Sequence, residues 1–77
     1  MIKIEVTDTF SGEANYSWVN RYELDPIENQ TDLQLIRRIK KVIGYSGVKC
    51  KKFDCGDMIT LKPINFCTIV FITFGEN

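Results

Sequence analysis

The stretch TDLQLIRRIKKVIG, residues 31–44, decides the fold. Leu35, Ile36, Ile39, Val42 and Ile43 fall on one side of a helical wheel, with Arg37, Arg38, Lys40 and Lys41 on the other. That is the i, i+3, i+4 pattern of an amphipathic helix. Thr31 stands where an N-cap belongs, and Gln34, three residues on, completes a capping box in which each side chain bonds the other residue's backbone N–H. Gly44 supplies the stop, because glycine enters the left-handed conformation of a helix C-terminus without steric cost. The spacing predicts one helix of about 13 residues, roughly 20 Å long.

Outward from this helix the pattern changes to period two. Upstream, IKIEVT (2–7) alternates Ile2, Ile4 and Val6 with Lys3, Glu5 and Thr7, the mark of a half-buried strand. DTFSGEAN (8–15) reads as a loop of about eight residues, longer than the two to five a hairpin needs. YSWVNRYEL (16–24) reads as the next strand. Its more apolar side, Tyr16, Trp18, Tyr22 and Leu24, is expected to face the core, since large aromatics supply much of a small core's area. DPIENQ (25–30) is a turn, with Pro26 steering Asp25 away from helical geometry.

Downstream, GVKCKKF (47–53) reads as a strand with Val48 and Cys50 inward, DCGD (54–57) as a tight turn, and MITLKP (58–63) as its partner strand with Ile59 and Leu61 inward. INF (64–66) reverses the chain. CTIVFITF (67–74) is apolar on both sides and is expected inside the sheet. The order β-β-α-β-β-β predicts a single α+β domain over residues 1–77, an antiparallel sheet of about four to five strands with one helix packed on one face. The other face is left for sheet curvature, a second copy of the chain or a partner protein to cover.

A chain of 77 residues buries only about 60% of the surface its unfolded form exposes, so the core is small. Apolar residues make up 44% and charged residues 26%, a composition that excludes disordered and fibrous classes. No apolar run approaches the roughly 20 residues that span a bilayer, and MIKIEVTD lacks a signal peptide's apolar centre. A cytoplasmic location away from membranes is expected. Cys50, Cys55 and Cys67 match neither a zinc nor a redox-pair spacing and read as free thiols, with Cys50 and Cys67 partly buried. The zero net charge hides an asymmetry: residues 1–32 carry two basic against seven acidic groups, or −5, and residues 33–77 carry eight against three, or +5.

The parts of a catalytic site are missing from the chain. It has no histidine, the usual general base near neutral pH, no glycine-rich phosphate loop and no nucleophile motif. Asp54 and Asp57 flank a turn, where aspartate is common for backbone reasons. Cys55 has only Lys51 or Lys52 nearby in sequence to lower its pKa. The expectation is therefore a protein that is not an enzyme and takes no cofactor and no metal. Two surfaces remain as binding candidates. One is the loop and adjoining strand, with Phe10, Glu13, Asn15 and Arg21. The other is the basic helix face, Arg37, Arg38, Lys40 and Lys41, to which Lys49, Lys51 and Lys52 add positive charge suited to a phosphate backbone.

In the segment TFSGEANYSWVNRYEL (9–24) and again in GDMITLKP (56–63) the sequence resembles a group of short, uncharacterised phage and prophage proteins. The resemblance implies a context and assigns no role to any residue. Small phage accessory proteins commonly bind and block a host protein, defence nucleases included. The leading expectation is thus a non-catalytic protein-protein interaction module that inhibits a host protein, such as a nucleic-acid-handling complex. The alternatives are a small nucleic-acid-binding protein and a structural or regulatory homodimer.

Overall fold

A computed structural model describes residues 1–74; Glu76, counted above in the charge balance, lies outside the described residues. The architecture is α+β: β1 (Ile2–Phe10), β2 (Glu13–Leu24), α1 (Asp32–Ile43), β3 (Cys50–Asp54), β4 (Met58–Pro63) and β5 (Thr68–Phe74). All neighbouring strands are antiparallel, in the order β2-β1-β5-β4-β3. The strand that is apolar on both sides, β5, lies at the centre of the sheet, as its composition requires.

The helix ends form as the sequence predicts. Thr31 accepts from the Gln34 backbone N–H, Gln34 Oε1 accepts from the Thr31 backbone N–H at 3.1 Å, and Gly44 takes the left-handed conformation at φ 83°. Leu35, Ile36 and Ile39 are buried against Ile2, Ile4 and Val6 of β1, Ile59 and Leu61 of β4, and Val70 and Ile72 of β5. Each such side chain contributes about 1.5–3 kcal/mol when fully buried. Ile43 and Cys50 pack partly against this cluster, but Val42 remains exposed.

Three expectations need correction. The eight-residue loop after the first strand does not exist: β1 continues to Phe10, β2 starts at Glu13, and only Ser11 (φ 55°) and Gly12 (φ 82°) turn the chain. Positive φ at both central residues is what a two-residue type I′ hairpin requires. The extra length sits within β2 instead. Thr7 pairs with Val19 but Thr9 with Ala14, so residues 15–18 all stand opposite Asp8 alone, a large bulge.

The bulge causes the second correction. Tyr22 and Leu24, in the regular part of β2, are half-buried beside the core, whereas Tyr16 and Trp18 are exposed rather than core. Alternation does not carry across a bulge, which resets the faces of the strand. The third is Cys67, which is exposed in the β4–β5 turn; Cys50 is half-buried and all three thiols are free.

Removing three methyl- or methylene-sized groups from the centre of this core should be costly while the exposed helix end tolerates change. Ile39→Ala is expected to lower unfolding free energy by about 2–5 kcal/mol in denaturant titrations, and Val42→Ser to change it by no more than about 0.5 kcal/mol.

Candidate functional site

The bulge in β2 is organised by one carboxylate. Asp8 Oδ1 accepts from the Ser17 backbone N–H at 2.9 Å, and Oδ2 accepts from Ser17 Oγ at 2.6 Å and from Asn15 Nδ2 at 3.0 Å. On the other side of the strand the buried Thr7 hydroxyl donates to the Trp18 carbonyl at 2.7 Å. Between these anchors Tyr16 takes φ 58°, a left-handed conformation that costs an L-residue roughly 1–2 kcal/mol. The Ser17 hydroxyl, then Asn15, hold the Asp8 carboxyl well below the usual carboxylate range. The result is an aromatic pair, Tyr16 at 53% and Trp18 at 42% exposure, displayed on a fixed backbone.

Next to it lies a second group of exposed aromatics. Thr9 N–H donates to Cys67 O at 3.0 Å, which continues the β1–β5 register past its last ladder pair, Asp8 with Thr68, and sets Phe10 opposite Phe66. Phe10 is 73% exposed and Phe66 53%. The Phe66 ring lies 5.9 Å from that of Tyr45, which follows the helix C-cap, and the Tyr45 hydroxyl bonds Thr68 Oγ1 at 3.1 Å. One end of the molecule therefore carries Phe10, Phe66 and Tyr45 across three chain segments. Glu13, paired with Phe10 at the start of β2, adds an exposed acid.

The residues singled out from sequence do not form one surface. Phe10 and Glu13 sit together at this end. Asn15 is beside them, but its side chain is committed to Asp8. Arg21 is not part of the loop surface. It sits midway along β2 on the sheet face away from the helix, its Nε 2.9 Å from Glu5 Oε2. On the helix, Arg37 and Lys41 project into solvent. Arg38 donates to Asp25 O and Lys40 to Val48 O, each at 2.8 Å, so two of the four basic groups tie down the loops at either end of the helix.

Arg37, Lys40 and Lys49 line an open hollow of about 410 Å³ with Ser46, Gly47 and Val48. The carbonyl end of the helix dipole lies beside it, which opposes anion binding. A second hollow, of about 230 Å³, lies at the opposite end of the sheet between Met1, Ile2, Pro26, Ile27, Leu35 and Phe74. Of the chemistry-bearing candidates, Asp54 Oδ1 accepts the Gly56 N–H at 3.0 Å, the backbone role expected of a turn aspartate. Burial pushes the Cys50 thiol up, away from reactivity. Among the described residues no cluster of carboxylates and thiols is placed to hold a metal ion, and no helix is long and apolar enough to cross a membrane.

No protein-family model matches this chain, and comparison with curated proteins and with solved structures returns no match.

Sequence reasoning missed Asp8, Phe66 and Tyr45. The signal for Asp8 was the break in alternation at Asn20, between Trp18 and Tyr22, which marks a strand that cannot keep one face from Tyr16 to Leu24. Phe66 was read only as part of a reversal, and its pairing with Phe10 follows from a long-range register that no local pattern contains.

The acid dependence of the bulge follows from the depressed Asp8 pKa. A carboxyl whose folded-state pKa is lowered lends stability that is present above its ordinary value, near 3.8, and lost as pH falls through the lower folded-state value. Trp18 emission should therefore stay constant from neutrality down to about pH 4 and change only in stronger acid. Asp8→Ala should show the altered emission already at pH 7, together with faster hydrogen exchange at the Ser17 amide.

Proposed function

We propose that this chain is a non-catalytic protein-binding module, whose contact surface is the aromatic end formed by Phe10, Phe66 and Tyr45 with Tyr16 on the adjoining bulge. The observation that carries this reading is the exposure of Phe10 and Phe66, 73% and 53%, at one end of the sheet, where Phe10 ends β1 and Phe66 lies in the turn that leads into the neighbouring β5. Large aromatics on a rigid scaffold supply contact area at little entropic cost and dominate the energy of protein interfaces. The non-catalytic part of the reading rests on a chain without histidine and without a recognisable nucleophile and base.

The resemblance to phage and prophage proteins supplies the biological setting. In it the module acts in the cytosol of a bacterial host as an accessory protein that binds and blocks a host defence protein. A protein target is favoured over nucleic acid because Glu13 pairs with Phe10 and the Asp8 carboxylate holds the bulge that carries Tyr16, while Arg38 and Lys40 of the basic face are occupied by backbone carbonyls.

Tagged protein should capture a stoichiometric partner from bacterial lysate that survives nuclease treatment. Phe10→Ser combined with Phe66→Ser should weaken that interaction by about 2 kcal/mol or more, while Arg37→Glu with Lys41→Glu leaves it unchanged and both variants stay folded. Capture that vanishes with nuclease, or that is lost only in the charge-reversed helix variant, would move the site to the basic face and overturn the reading.

A further inference from the structure

The two edges of the sheet differ in a way that points to a specific occupant for one of them. The outer strand β3 has five residues and presents Lys51 and Lys52. Short, lysine-bearing edge strands are a common guard against strand pairing. The opposite edge, β2, has 12 residues and no lysine, and its stretch from Val19 to Leu24 is regular.

Ladder geometry shows which backbone groups of β2 are free. Thr9 donates to Cys67, immediately before β5, so odd-numbered residues of β1 turn their backbone groups to β5 and even-numbered ones to β2. Ile4 faces Tyr22, so Tyr22 bonds inward, and the N–H and C=O groups of Arg21 and Glu23 point out along the open edge.

We propose that two copies of this chain pair antiparallel through β2, about a two-fold axis at Tyr22, and join their sheets into one. In this register Arg21 of each copy lies directly opposite Glu23 of the other, and the outward backbone groups of these residues complete the ladder. The charges match on the same sheet face. Within one copy Lys3 pairs with Glu23 and Glu5 with Arg21. Across the axis the row therefore reads Lys3, Glu23, Arg21, Glu5, with alternating sign and with Glu23 and Arg21 each between two opposite charges.

Just beyond the regular stretch, the same operation brings Trp18 of one copy toward Pro26 and Ile27 of the other, which follow β2. Trp18 is 42% and Ile27 52% exposed, so two apolar contacts flank the polar centre. The same operation applied to β3 would set Lys52 against itself. The centre of this interface, Arg21 to Glu23, lies apart from Phe10, Phe66 and Tyr45, although its margin at Trp18 shares the bulge with Tyr16.

Sedimentation equilibrium of the full chain tests this, with circular dichroism confirming that each variant is folded. The wild type should be a dimer at high micromolar concentration, with Trp18 emission shifting to the red as it dissociates on dilution. Arg21→Glu alone and Glu23→Arg alone each place like charges across both halves of the interface, and each should weaken association by about tenfold or more. An equimolar mixture of these two variants restores both attractive pairs and should form the dimer again. A wild type that stays monomeric, a dimer indifferent to both single variants, a mixture that fails to reassociate, or a species that keeps growing with concentration would each overturn the proposal.

Discussion

One helix must cover a sheet of five strands, and it is too narrow to do so. An α-helix with its side chains is about 10 Å across, close to two strand spacings. The fully buried residues it meets lie in β1, β5 and β4, and β2 and β3 add only the half-buried Tyr22, Leu24 and Cys50. The outermost strands are covered only at their margins, and the opposite face is not covered by the helix at all. Core formation thus determines where the chain is free to be unusual. The bulge, the exposed aromatics and the two contrasting edges all lie outside the zone in which the helix fixes each side chain.

The face away from the helix is managed without a second layer. Thr7, Thr60 and Ile69 are buried there, although no element packs on them. Longer side chains lie across it: Lys62 Nζ sits 5.6 Å from the centre of the Phe53 ring, and Arg21 reaches Glu5. Basic side chains can cover apolar surface with their stems while their charged heads stay in water. The two charge sets seen in the sequence lie mostly apart, the acid-rich β1 and β2 at one side of the sheet and the lysines of β3 and β4 at the other, and they meet where Lys52 Nζ lies 3.8 Å from Asp32 Oδ2.

The helix and the inner strands were legible because their determinants are local. Thr31, Gln34 and Gly44 specify caps within a few residues, and the continuous apolar run in β5 places it inside the sheet. The candidate site was only half legible. Phe10 and Glu13 stand out as exposed residues beside a turn, but Tyr16 and Trp18 were misplaced by extending period two through residues 15–18. A bulge held by a carboxylate nine residues away in sequence leaves no periodic signal. The union of Phe10 with Phe66 depends on a pairing across 56 residues, 66 minus 10, and such a pairing exists only once the sheet has formed.

The bulge separates what the fold needs from what the surface displays. A regular β2 running through Tyr16 would place Tyr16, Trp18, Tyr22 and Leu24 on one face, and the core would claim all four. Inserting the extra residues opposite Asp8 breaks that alternation where the helix no longer covers the strand. The left-handed strain at Tyr16 is then offset by hydrogen bonds to a carboxylate that remains ionised throughout the neutral range. Asp8 is accordingly a determinant of where the aromatics point, and contributes nothing to the apolar core itself. A chain with so small a core can hold large aromatics outside it only if polar contacts fix their backbone, and Asp8 with Thr7 supplies those contacts from both sides of β1.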